Sequence, residues 1–459
     1  MSAIPVIAIF DVGKTNKKLF LFDENYHIVY EKSARFIETV DEDGDPCENL
    51  ESLELSVFDS LREVFKLTEF EVKAINFSTY GASFVHIDAA GKPVAPLYNY
   101  LKEFPVDLKE KFYKTYGGET KLARETCSPV LGNLNSGMQL YRIKHTKPHL
   151  FNKIQYSLHL PQYLSYLLSG RPCTDITSIG CHTGLWNFEK NDYHEWVYAE
   201  GLIQKFAPII PSNGTFTAKE LGNGISIGVG LHDSSAALIP YLVNFSEPFI
   251  LISTGTWCIS LNPFNHSPIT DEELENDCLC YMQYKGSPVK ASRLFAGNEH
   301  ELQTKRIASH FNVNTSMLKN VEYDPTIINK LTDRSDNQIR GSRHQSAFVT
   351  RDLSLFESHN EAYHQLIIDI MEQQYQSTKM ALKGTKVSRI FVDGGFSKNS
   401  IYMNLLAKAF PELEIFAASM AQATAVGAAI AIHRNWNSKT LPADIIELKY
   451  YSTPQHTAI

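Results

Sequence analysis

The sequence predicts an α/β protein made of two similar units that face each other across a cleft. Three observations predict it. The 459 residues exceed what one ordinary hydrophobic core serves, so two or three packed units are expected. β-prone runs alternate with amphipathic helical stretches in both halves of the chain. A small unit, an apolar strand followed by a polar turn with one glycine and a second strand, occurs near the start of each half. The boundary is expected near residue 240, giving units 1–240 and 241–459.

The first copy of that unit begins with Val6-Ile7-Ala8-Ile9-Phe10, an unbroken β-prone run and therefore a buried strand. Asp11-Val12-Gly13-Lys14-Thr15-Asn16 is the polar turn, and Lys18-Leu19-Phe20-Leu21-Phe22 the returning strand. Leu53, Val57, Leu61, Val64 and Phe65 recur at helical spacing between Leu50 and Leu67, a helix leading to the strand Ala74-Ile75-Asn76-Phe77. The middle is helical and loop-rich, and the helix through Tyr163 to Leu168 stops at Ser169-Gly170. After a segment rich in Pro, Gly, Asn and Ser at 208–224, Ile225 to Val229 is a strand.

The second copy runs through Phe249 to Ser253, the turn Thr254-Gly255-Thr256, and Trp257 to Leu261. A long amphipathic helix follows from about Ala362 to Met380, then the strand Arg389 to Val392. Asp393-Gly394-Gly395-Phe396-Ser397-Lys398-Asn399 is a sharp turn, with a helix starting near Ser400. Thr424 to Ile432 is a helix of small residues suited to close packing.

Composition narrows the function classes. A net charge of -8, with no run of Lys and Arg interleaved with aromatics, argues against a nucleic-acid partner. No stretch approaches the ~20 apolar residues that span a bilayer, and the N-terminus lacks a cationic leader pattern. The seven cysteines are scattered, without a CxxC pair. Reduced thiols in a cytoplasmic protein are expected, and Cys278-Leu279-Cys280 is expected to hold no metal.

Gly13-Lys14-Thr15 after a strand looks like the end of a P-loop, but the position that must be glycine is Ala8, inside the strand. The alternative is a hairpin tip on which Asp11 holds hydrated Mg²⁺ while backbone N–H groups and Thr15 face phosphate oxygens. The plain reading of any Asp-x-Gly is a turn. Thr254-Gly255-Thr256 can likewise bind phosphate through hydroxyls and bare backbone, or be an ordinary hairpin turn. Gly394-Gly395 can let a flat ring lie on the backbone with Asn399 bonding it, or Ser397 or Asn399 can simply cap the next helix. Asp233, in Gly230-Leu231-His232-Asp233-Ser234, is either a helix cap or a carboxylate pointing into a cleft. In the second case it can accept a proton from an attacking hydroxyl.

Read in order, these segments resemble the FGGY family of carbohydrate kinases, within the actin-like (ribonuclease H-like) ATPase superfamily. The resemblance spans about residues 6–433 and implies two actin-like domains with a cleft between them. It makes 1–240 the domain of the sugar site and catalytic base, and 241–459 the ATP domain. It assigns Asp233 as the base and Asp11 to the metal. Gly13, Thr15, Asn16, Thr254, Gly255, Thr256, Gly394, Gly395 and Asn399 go to ATP. Ala423-Thr424-Ala425-Val426-Gly427-Ala428-Ala429 resembles part of the adenosine region. Sugar contacts fall to Tyr80, Gly81, Ala82, Asn99, His232 and Asp233. ATP, Mg²⁺ and a small sugar are the implied ligands, in a monomer or homodimer.

Within the family, Leu231-His232-Asp233 and Ser253-Thr254-Gly255-Thr256-Trp257 look most like kinases for L-rhamnulose and L-fuculose, as does Leu160 to Gly170. The departures are Tyr98-Asn99-Tyr100 where relatives carry an acidic sugar-contact residue, Gln162 where an acidic residue is usual, and a first hairpin with extra lysines (Lys14, Lys17, Lys18). Two alternatives stand beside the kinase: a kinase-derived sugar sensor and a non-kinase actin-like ATPase.

Overall fold

The computed structural model describes residues 3–14, 16–218, 224–332, 345–420 and 422–452. Two mixed sheets dominate it. In the first the order is Thr215–Thr217, Ser226–Gly228, Phe70–Thr79, Ile4–Val12, Lys17–Asp23, Ile28–Ala34, with Leu231–His232 also paired to Phe70–Thr79. In the second it is Cys278–Met282, Pro288–Leu294, Cys258–Asn262, Phe249–Thr254, Arg389–Gly394, Glu414–Ser419, Glu447–Tyr451.

The two sheets share one pairing scheme. The leading strand of each hairpin pairs antiparallel with its mate and parallel with a strand from later in its half: Ile4–Val12 with Phe70–Thr79, and Phe249–Thr254 with Arg389–Gly394. A further parallel strand and an antiparallel edge strand complete each side. The repeat read in the sequence is therefore a repeat of topology.

Local sequence accounts for the covering helices. Leu50, Leu53, Val57, Leu61 and Val64 line the buried face of helix Leu50–Val64, which starts where Asn49 accepts a bond from the Ser52 amide (3.0 Å). This helix and Leu160–Ser169 cover one face of the first sheet. Gly170, at φ +66°, ends the second of them. Helix His359–Leu382, capped by Ser358, lies in the core on the outer face of the second sheet. Helices between Val106 and Ala199 build a separate aromatic-rich cluster around Phe112, Tyr141 and Trp196.

The halves are joined by two crossed helices. Helix Asp233–Asn244 contains residue 240, and its Leu238 and Tyr241 pack with Phe249, Leu251 and Phe391 of the second sheet. Helix Ala423–Ala431 comes from the second half, yet packs with Ile7, Ile9 and Phe20 of the first sheet. A Cβ on Gly427 would lie 1.9 Å from the Ala236 carbonyl oxygen, so only glycine lets these helices approach so closely. Asn76 fastens the arrangement: its amide donates to the Ala428 carbonyl (2.8 Å) and accepts from the Gly230 amide (3.1 Å). Among the described residues no helix is long and apolar enough to cross a membrane.

Candidate active site

Parallel pairing brings three strand ends to one edge of the first sheet. Asp11 and Leu231 both register with Ser78, and His232 registers with Thr79. The C-terminal edge of a parallel sheet is where such folds present functional groups, because the strands stop there and the connecting loops splay apart. Asp233 follows as the first residue of helix Asp233–Asn244; the capping position itself is His232. Asp233 is thus no N-cap, though the helix dipole still favours its negative charge.

The Asp233 carboxylate keeps 33% of its surface open and sits 3.3 Å from His232 Nε2. Its Oδ1 accepts from the Ser234 amide (2.6 Å), which leaves Oδ2 without a partner among the described residues. Burial pushes its pKa up to about 6. Asp11 is also pushed up to about 6, first by burial and further by the charge of Asp233, while a bond from the Thr424 hydroxyl (3.0 Å) works against the shift. The charge of Asp233 thus reaches Asp11, which puts the two carboxylates in one electrostatic site. His232, in contrast, is driven down to about 3 by burial and is a neutral imidazole at pH 7.

Tyr80, Gly81 and Ala82 continue the strand Phe70–Thr79 into this edge. A side chain on Gly81 would meet Cys181 Sγ at 2.8 Å and the His232 ring at 3.0 Å. Ala82 takes φ +59°, and its carbonyl accepts from Gln139 (2.6 Å). Tyr80 donates to the buried Glu48 (3.1 Å). Asn99 bonds the Leu101 amide in its own turn (3.0 Å), whereas Tyr100 faces Tyr80 (6.1 Å between centroids) and its hydroxyl pKa is raised by burial and by the charge of Asp233. Sequence reading singled out Asn99; Tyr100 is the member of the triplet that approaches Asp233. Tyr98 is buried, donates to Glu42 and lies under Arg142 (4.8 Å).

The first hairpin is less phosphate-directed than its composition suggests. The Gly13 amide bonds the Asn16 carbonyl (2.9 Å), and the Asn16 side chain accepts from Arg35 (3.1 Å). Lys17 is buried against Glu48 (2.6 Å), Lys14 pairs with Glu38 (3.2 Å) and Lys18 with Glu31 (2.9 Å). The extra lysines are thus neutralised by carboxylates. Thr15 lies outside the described residues.

On the second sheet the Thr254 hydroxyl donates to the Asp393 carbonyl (2.5 Å) and accepts from the Phe396 amide (3.0 Å), so it ties the hairpin to the Gly394-Gly395 turn. Gly394, at φ +90°, is pressed against Thr254: a Cβ there would be 1.9 Å from the Thr254 carbonyl oxygen. Gly255 and Thr256 are exposed, with the Gly255 amide bonded to the Trp257 carbonyl (2.8 Å). A Cβ on Gly395 would meet nothing, so its backbone offers a bare surface. Asn399 caps helix Ser400–Ala409 through the Tyr402 amide (3.0 Å) and donates to the Tyr363 hydroxyl (2.9 Å). The helix-cap reading of Asn399 is therefore met, and its amide is held in one orientation.

Residues 6–239 match the profile of the FGGY family of carbohydrate kinases, N-terminal domain, and residues 251–436 match that of the C-terminal domain. The chain belongs to the FGGY family of carbohydrate kinases.

Rhamnulokinase of Yersinia pestis (strain Pestoides F) is 23% identical over 281 residues, which is 58% of this chain and 57% of that one. The matched stretch thus spans little more than half of that relative. A solved carbohydrate kinase from Novosphingobium aromaticivorans superposes with a TM-score of 0.81 at 21% identity, covering 98% of this chain and 94% of the other. A ligand-bound xylulose kinase from Lactobacillus acidophilus gives 0.80 at 17% identity, covering 97% and 93%. At those identities the likeness bears on the fold, and it agrees with the two-domain α/β FGGY architecture expected from the sequence.

Two features of this FGGY chain lay beyond sequence reading. Thr424 reaches across from the second half to Asp11, although its motif pointed to the adenosine region. Arg293, paired with Asp277 (2.7 Å), lies near enough to Cys181 and His182 for its charge to act on both. Arg293 belongs to no short motif, and the motif of Thr424 does not say which carboxylate it meets; only the packing of the two halves brings them in.

Proposed function

We propose that this protein transfers the γ-phosphoryl group of ATP to a hydroxyl of a sugar, with Asp233 as general base. The observation that carries this reading is the pair of carboxylates, Asp233 and Asp11, held at one sheet edge, each with a pKa that burial pushes up to about 6. Asp233 Oδ2 is free to accept the proton that the sugar hydroxyl loses as its oxygen attacks phosphorus. Neutral His232 beside it can exchange a hydrogen bond with the same sugar without adding charge. ATP loses its terminal phosphoryl group and leaves as ADP, and the sugar leaves as its phosphate ester.

The carboxylate pair with the Thr424 hydroxyl is a hard oxygen donor set of the kind that suits Mg²⁺. In this reading Asp11 would hold the ion through Oδ1, which has no partner among the described residues, while Thr424 fixes Oδ2 (3.0 Å). When bound, Mg²⁺ supplies charge neutralisation on the phosphates. The bare Gly395 backbone, the exposed Gly255-Thr256 turn and the fixed Asn399 amide support a nucleotide on the second half, and Tyr80, Gly81, Ala82 and Tyr100 support a sugar on the first. The two-hairpin cleft is suited to closing over both, which would limit ATP loss to water.

The proposed sugar is a ketose of the L-rhamnulose or L-fuculose kind, on the strength of the His232-Asp233 and Thr254 to Trp257 motifs and the similarity to rhamnulokinase. A coupled ADP-release screen of the purified protein over ketoses, aldoses and polyols tests it. ADP formation with an L-deoxyketose is expected. Turnover only with other sugars overturns the sugar assignment, and turnover with none overturns the kinase reading.

A further inference from the structure

Behind Asp233 lies a side-chain cluster of which the phosphoryl-transfer reading uses only His232. Cys181, His182 and His232 are all buried, and the sulfur and one ring nitrogen of each histidine lie within 4.8 Å of one another. Cys181 Sγ is 3.9 Å from His182 Nε2. The hydrogen bonding around the rings sets which lone pairs face inward. His182 Nδ1 is 3.1 Å from the Leu134 carbonyl oxygen, which can only accept, so Nδ1 carries the proton and Nε2 a lone pair. His232 Nδ1 faces Ser235 Oγ at 3.5 Å, and that hydroxyl spends its own proton on the Met282 carbonyl (2.8 Å), leaving it to accept from the ring. His182 Nε2 thus turns its lone pair to Cys181 Sγ, while His232 has one proton to share between Ser235 Oγ and Asp233 Oδ1, 3.3 Å from its Nε2, and offers Nε2 to a metal in the tautomer bonded to Ser235.

We propose that Cys181, His182 and His232 form a binding site for a soft divalent cation of the zinc class. The ligand set, one sulfur and two imidazoles, matches the donors that Zn²⁺ prefers over Mg²⁺, and it can be completed by a fourth oxygen ligand. Second contacts of the kind that orient metal-binding histidines are already in place at Leu134 and Ser235. Burial and the charge of Asp233 push the Cys181 thiol up, the Ala82 backbone amide that donates to the sulfur works the other way, and a bound cation supplies the charge that holds the thiolate. The nearby Arg293 guanidinium is matched by Asp277 (2.7 Å), so its repulsion on a cation is offset. Binding releases the Cys181 proton to solvent and forms a metal–sulfur bond, without oxidation or reduction. Asp233 Oδ1, 3.3 Å from His232 Nε2, lies beside the fourth position. A cation there would draw on His232 and Asp233 and inhibit phosphoryl transfer. That consequence rests on the proposed function; binding itself does not.

The test uses the full chain, freed of metal with a chelator and loaded with one equivalent of Zn²⁺ alone. X-ray absorption at the zinc edge should read one sulfur and two imidazole nitrogens in the first shell, and it needs neither a variant nor turnover. A first shell without sulfur, with two sulfurs, or no stoichiometric binding overturns the proposal. With Co²⁺ as the probe, a thiolate-to-metal charge-transfer band should appear, vanish in Cys181→Ser and need at least tenfold more metal in His182→Gln. A band of unchanged affinity in a folded Cys181→Ser protein also overturns it.

Discussion

At the scale of single residues, function is set by what burial does to a few side chains. Asp233 and Asp11 both have pKa values near 6, so each is ionised above that pH and protonated below it. A base must be ionised to accept a proton, so kcat/KM for the sugar should rise with pH to a plateau above about 6. Steady-state rates between pH 5 and 8 check this, and a flat profile would contradict it. Gln162 shows how a departure from family pattern can be structural. Its amide donates to the Gly230 carbonyl (2.8 Å) just before His232-Asp233, a bond that a carboxylate could not make. Gln162→Glu should therefore destabilise the fold by about 2–4 kcal/mol in denaturant unfolding, since it sets an unpaired buried charge against a carbonyl. It should leave the order of preference among sugars unchanged. Sequence alone could only mark the position as unusual, because which carbonyl it meets depends on how the strand at 226–228 lies against helix Leu160–Ser169.

At the scale of elements, short segments hold the site in position. Asp175 caps helix Ile176–Ile179, accepts from Ser212 (2.5 Å) and bonds Thr177, whose hydroxyl in turn accepts from the His232 amide (3.0 Å). Burial without a cation pushes its pKa up to about 6. The folded state therefore binds a proton that the unfolded chain has released, and the stability this contributes is lost as pH rises from about 4 through about 6. Asp175→Asn should remove roughly 2–3 kcal/mol of that pH dependence, read as a flatter melting temperature between pH 4 and 7. Thr254→Val keeps the shape but loses both bonds that join the hairpin to the Gly394-Gly395 turn. It should raise KM for ATP more than KM for the sugar. Equal effects on the two would place that turn elsewhere in the reaction. Strands and helices were largely legible here, because apolar runs and 3.6-residue spacing follow directly from burial. The long helix, the paired hairpins and the Gly170 stop all stand where the pattern put them. What Asn16 and Thr254 bond to was not legible, since those partners are 19 to 142 residues away and are chosen by tertiary contact, whereas Asn99 bonds only the amide two residues on, within its own turn.

At the scale of the whole molecule, the two crossed helices make the halves interdependent. Helix Ala423–Ala431 lies on the sheet of the other half, and Asp233 begins the helix that packs on both sheets. The chain should therefore unfold in one calorimetric transition, and two resolved transitions would contradict that coupling. Gly427→Val forces apart the backbones that Gly427 lets meet, with a cost of about 3 kcal/mol or more and a loss of activity out of proportion to any change in Asp233 itself. The division into two α/β units was legible in the duplicated hairpin. The exchange of helices between them was not, because nothing in a run of small residues says which sheet it will cover. In the proposed reaction one carboxylate in this interface, Asp233, removes the sugar proton. The direct measurement is sugar-dependent ADP formation by Asp233→Asn beside the unaltered protein, with ATP binding followed separately by calorimetry. A loss of about 10²–10⁴-fold in turnover is expected, with ATP affinity nearly unchanged. Full turnover by Asp233→Asn would contradict it.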